Sequence, residues 1–226
     1  MKQLVSGRVY HKFSETYDLV YFGHVSAETD EHRLVRGITT STKHRDSHYC
    51  VGTIHGHDVI LLEREDELRL ANDDRPHKYR WIIMQIDLHG HHDLSHVFID
   101  GNHHNQTFYR TLFAKFARLL KVDRGLLSRF DPLFAERFNV YTPPDNTDRF
   151  PELLSDEAAS TLAHHFGHFD FEWYEDRVLV YSTGHPVSKH LLDHLLKAGT
   201  YLARELEKTA SVPVTEDETV FSEEAL

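Results

Sequence analysis

The sequence predicts an α+β fold, a mainly antiparallel sheet built from hairpins and packed against three or four helices. Three observations lead there. Two stretches, 49–63 and 169–181, carry hairpin turn chemistry between alternating or apolar runs. The helical stretches are segregated from the hairpins instead of alternating with single strands. Residues 186–208 carry an apolar stripe of Val187, Leu191, Leu195, Leu202 and Leu206, widened by Leu192 and Leu196, the pattern of a long amphipathic helix.

The elements follow in order. Residues 18–23 read as a strand and 39–46 as a polar loop. Residues 49–54 and 57–63 flank His55 and Gly56, a two-residue turn whose glycine accepts positive φ. The highly charged stretch 65–78 reads as a loop, and 79–88 as a central strand apolar on both faces. A short strand covers 96–100. Asn105 caps a helix running to about Lys121, with Phe108, Leu112, Phe116 and Leu119 at helical spacing. Asp131 precedes a short helix to Arg137 with Pro132 at its first position, and 138–142 read as a strand. Residues 143–146, with Pro143 and Pro144, break the chain and mark a substructure boundary within one globular domain of residues 1–210. Ser155 opens a helix with Ala158, Ala159, Leu162, Ala163 and Phe166 on one side. In the second hairpin a turn at Glu175 and Asp176 sets Trp173 opposite Val178 and Phe171 opposite Val180, all on one buried face. Pro186 opens the last helix, and residues 211–226 read as a flexible acidic tail.

Composition narrows the function classes. Hydrophobic residues make up 40% and charged residues 27%, a globular balance. No apolar run approaches the roughly 20 residues that span a bilayer, and the N-terminus shows no signal-peptide core, so a soluble, cytoplasmic chain without a membrane span is expected. The single cysteine, Cys50, excludes an intrachain disulfide and a cysteine-rich zinc site; inside a strand it reads as a packing residue. A net charge of −11 argues against nucleic-acid binding. Against that charge stand 20 histidines. Protonating 11 of them cancels it, in keeping with a pI near 6.0 and with a solubility minimum there.

Chemistry concentrates after the central strand. His89, His91, His92, Asp93 and His96, with His103 and His104 beyond, are candidate metal ligands; neutral imidazoles and a carboxylate suit Zn²⁺, Ni²⁺ or another divalent transition metal. His89, His91 and Asp93 resemble the His-x-His-x-Asp-His signature of metallo-β-lactamase-type hydrolases, with Leu94 standing where the closing histidine belongs. His185 after Gly184 resembles that family's downstream Gly-His ligand. His190 and His194 are spaced to share one helix face. The competing reading of all these groups is solvated loops and helix shoulders in a histidine-rich chain. There is no Gly-x-Ser-x-Gly, phosphate-binding or dinucleotide-binding glycine motif.

Residues 108–116, 131–142, 153–156 and 169–181 share an order of segments, an Asp-Pro-x-Phe step leading to Phe-x-Val-Tyr, then a helix and a hairpin. This order resembles an uncharacterised bacterial family often encoded beside LemA-like membrane proteins. It is also similar to hypothetical proteins of reduced-genome bacteria. The resemblance implies a bacterial source and a shared fold in the C-terminal half, and brings no catalytic residues. The expected function is therefore a non-enzymatic cytoplasmic binding or scaffold protein of unknown partner, with no cofactor. It would contact a protein, or a second copy of itself as a homodimer, through the helix at 105–121 or an open edge of either hairpin. The alternatives are a histidine-based metal-binding protein or metal-dependent hydrolase using the loop from His89 to Asp93, and a pH-responsive assembly protein.

Overall fold

The computed structural model describes residues 2–23, 35, 44–68, 77–90, 94–101 and 119–210. Among these, nine strands form one antiparallel sheet. They are β1 (Val20–Gly23), β2 (His44–Ile54), β3 (His57–Leu68), β4 (His77–Asp87), β5 (Leu94–Asp100), β6 (Leu120–Lys121), β7 (Asn139–Thr142), β8 (Asp170–Glu175) and β9 (Arg177–Thr183). The spatial order is β1-β2-β3-β4-β9-β8-β5-β7-β6. The helices are α1 (Lys2–Tyr17), α2 (Arg124–Leu127), α3 (Pro132–Arg137), α4 (Phe150–Leu153), α5 (Asp156–His165) and α6 (Lys189–Ala210). This is the expected α+β architecture. No described helix is long and apolar enough to cross a membrane.

Both hairpins take the registers their turns dictate. His55 and Gly56 adopt φ of 53° and 91°, and β2 pairs with β3 from Ile54 opposite His57 onward. Trp173 faces Val178 and Phe171 faces Val180 across β8 and β9. The β4–β9 pair joins the two hairpins, Ile83 opposite Tyr181 and Met84 opposite Val180. β4 is buried on both faces, which is why its sequence is a continuous apolar run.

One face carries Ile82, Met84, Ile86, Phe171, Trp173, Val178 and Val180, in one core cluster with Leu192, Leu195, Leu202 and Leu206 of α6 and with Tyr10 and Phe13 of α1. Packing is close. A Cβ at Gly199 would meet Ile86 Cδ1 at 2.6 Å and Val180 Cγ2 at 3.3 Å, so this helix position takes glycine despite its poor helix propensity. The other face buries Tyr49, Leu62, Trp81, Ile83, Phe98, Leu179 and Tyr181.

Several expectations change. The charged stretch 65–78 is not all loop: β3 continues to Leu68 and β4 begins at His77. Charges of β3 pair across to its neighbours, Arg64 with Asp46 of β2 and Glu63 and Glu67 with Arg80 and Lys78 of β4, so the strand tolerates them. Among the described residues neither hairpin forms the edge of the sheet: β1 pairs with Tyr49–Val51 of β2 and β5 pairs with β8, and the outermost strands are β1 and β6. The helix expected over 105–121 lies largely outside the described residues, but its last two positions, Leu120 and Lys121, pair as strand with Thr142 and Tyr141. Ser188, not Pro186, caps the last helix, its Oγ accepting from Leu191 N at 3.1 Å. The tail at 211–226 also lies outside the described residues.

Candidate functional site

At one end of the sheet three elements converge. His57 is the first residue of β3, His89 follows the end of β4, and Glu207 lies in the last turn of α6. Glu207 Oε1 accepts from the backbone N–H of His89 at 2.7 Å and lies 2.9 Å from His89 Nδ1 and 3.7 Å from His57 Nδ1. His89 Nε2 donates to Gly56 O at 3.0 Å. His57 Nδ1 is 3.1 Å from Asp87 O, and the two rings lie 4.0 Å apart between centroids. Gly56 makes this possible twice over, through its φ and because a Cβ there would press on His89 Nε2 at 3.3 Å. His57 is buried, Glu207 half-buried and His89 exposed. Ligand atoms of the three lie within 4.8 Å of one another, the one such group of three or more metal-binding side chains among the described residues.

The five residues singled out in the sequence separate. His89 belongs to this group. His91, His92 and Asp93 lie outside the described residues. His96 is on the opposite face of the sheet, where its Nε2 donates to Glu172 Oε1 at 2.6 Å and its ring meets Tyr174 edge-on. His185 departs equally far from the expected pattern. Thr183 pairs with Trp81, and Arg177 with Asp87, so His185 leaves the sheet at the end opposite His89, about 20 Å away along β4. Glu207 stands in no histidine cluster, and the His55-Gly56-His57 pattern reads first as a hairpin turn; the usable signal is that His-x-His spacing at the start of a buried strand.

A second group forms where α5 meets α6. His194 packs against His168 at 4.9 Å and His190 at 5.9 Å between ring centroids, with Phe166 and Phe169 on its other sides. Its pKa lies below the ordinary 6.5, first because burial penalises the charged ring, then because His190, Lys197 and His165 repel it. The unfolded chain therefore binds this proton more readily. Stability from this group is full above about pH 6.5 and is lost as pH falls through that value toward the folded pKa. The melting temperature is expected to drop between about pH 7.5 and 5.5, and His194→Gln should shrink the drop. An identical pH profile in the variant would refute this.

Several buried reactive groups are tied into the packing. Burial pushes the Cys50 thiol up to about 12, so it stays protonated and unreactive. A thiol reagent at neutral pH should label the native protein far more slowly than the urea-unfolded chain; equal rates would show that Cys50 is accessible. Tyr181 Oη donates to Glu172 Oε2, and Arg80 pairs with Glu63, which also accepts from Ser6 and Tyr10 at 3.3 Å. Arg64, fully buried, forms a two-pronged pair with Asp46 at 2.7 and 2.6 Å and donates to Val35 O at 2.9 Å.

No family model matches the chain, and no curated protein does. The crystal structure of the mycobacterial trehalose monomycolate transport factor A, TtfA, is similar, with a TM-score of 0.57 and 12% identity over 88% of this chain and 93% of that chain. At that identity the likeness is one of fold alone.

Proposed function

We propose that this chain is a non-enzymatic binding or scaffold protein that engages a protein partner through the β1 edge of its sheet. One observation carries the reading. The large hydrophobic side chains exposed among the described residues are Val20, Phe22 and Leu120, and all three sit on the two edge strands. Val20 and Phe22, 58% and 57% exposed, flank half-buried Tyr21 on β1, and Phe22 sits where the pairing with β2 shifts register between Tyr21 and Gly23. An edge strand offers backbone donors and acceptors to an added strand, and neighbouring apolar side chains give that addition specificity. The interior adds support, since Asp46 is bound by Arg64, Glu63 by Arg80 and Glu172 by Tyr181, and the Cys50 thiol is held neutral. The protein of like fold is named a transport factor, which suits an accessory role.

Site-specific photo-crosslinking in the producing cells tests it. A photoreactive phenylalanine analogue at position 22 should yield a discrete adduct with one protein species, a second copy of this chain included, and Val20→Lys in the same chain should reduce it. Adducts no different from those at exposed Arg129 would overturn the reading.

A further inference from the structure

We propose that His57, His89 and Glu207 form a binding site for a divalent transition-metal ion of the Zn²⁺ class. The argument starts from hydrogen-bond bookkeeping. Gly56 O can only accept, so His89 Nε2 must be the protonated nitrogen. In the neutral ring the lone pair is then on Nδ1, which faces the Glu207 carboxylate at 2.9 Å. Two acceptors opposed at that distance require a positive species between them, a proton or a metal ion. The His89 backbone N–H holds the same carboxylate oxygen in place at 2.7 Å.

His57 turns a pair into a site. Its Nδ1 lies 3.7 Å from Glu207 Oε1. Around a tetrahedral ion with bonds of about 2.0–2.1 Å, ligand atoms sit about 3.3–3.4 Å apart. The observed 2.9 and 3.7 Å straddle that separation, and ligand atoms of all three side chains lie within 4.8 Å of one another. Binding would exchange the His57 contact with Asp87 O for coordination, while the His89 Nε2–H bond to Gly56 O remains as the outer contact that orients a ligating ring. Two imidazoles and one carboxylate favour Zn²⁺ or its neighbours over the oxygen-seeking Mg²⁺ and Ca²⁺. The exposed side, next to His89, leaves room for water as a fourth ligand. The site is independent of the β1 edge.

The full chain, purified without an affinity tag and stripped with a chelator, is titrated with Zn²⁺ by calorimetry and with Co²⁺ by visible absorption. The expected result is saturable binding of one equivalent and visible Co²⁺ bands of low coordination number. His89→Gln and Glu207→Gln should each weaken binding by more than about tenfold and remove those bands. His57 is buried, so these two more accessible positions keep the test clear of misfolding, checked by near-ultraviolet circular dichroism of the metal-free variants. The double variant His190→Gln, His194→Gln should bind as the parent does. Three outcomes overturn the proposal: no saturable equivalent, which leaves a proton-bridged ion pair; unchanged binding in both single variants; or loss of binding in the double variant instead, which marks adventitious capture by surface histidines.

Discussion

Arg64→Met should lower the free energy of unfolding by about 3–5 kcal/mol, measured by urea denaturation. Arg64 is fully buried and Asp46 nearly so, at 6% side-chain exposure. Removing the guanidinium leaves the Asp46 carboxylate with Tyr49 Oη at 2.9 Å and a histidine, His44, at 4.0 Å, and takes a donor from Val35 O. An uncompensated buried charge is expensive because the interior solvates it poorly. The loss would be a large part of the roughly 5–15 kcal/mol that holds a domain folded. Removing both charges should be milder: Arg64→Met with Asp46→Leu is expected to recover much of the loss, since an apolar pair needs no counter-charge. A single-variant effect below about 1 kcal/mol would place the pair in water.

The same pair explains why parts of the fold were legible and others not. Alternation and turn chemistry are local, so the β8–β9 register and the β2–β3 turn could be read from a few adjacent residues. The far end of β3 could not. Glu65 and Asp66 look like loop residues until neighbouring Arg64 is known to face Asp46, 18 positions away. α1 was missed for a different reason. Tyr10, Phe13 and Tyr17 do recur at helical spacing, but Gly7 and several polar residues dilute the pattern, and the helix is held by burial of Tyr10 and Phe13 against the sheet. The site shows the same limit. His89 stands in a visible cluster, whereas its carboxylate partner Glu207 is 118 residues away. His96, a near neighbour in sequence, is carried to the other face by the strand that holds it.

Trp173→Ala should also cost about 3–5 kcal/mol. Trp173 is 1% exposed on β8, opposite Val178 of β9 and Val97 of β5, within the face covered by α1 and α6. Truncation opens a cavity that a rigid sheet cannot close, because its neighbours are fixed by backbone pairing on both sides. Trp173→Phe should cost markedly less, since most of the ring volume remains. The experiment carries a second readout. The chain has two tryptophans, and Trp81 lies on the opposite face beside Tyr181. In the Trp173→Ala protein, fluorescence therefore reports the Trp81 face alone while far-ultraviolet circular dichroism reports the whole chain. Coincident urea midpoints would mean that the two faces unfold as one unit through the shared strands β4 and β9. A cost no greater than that of a surface substitution, within about 0.5 kcal/mol, would mean that β8 does not hold this register against β9.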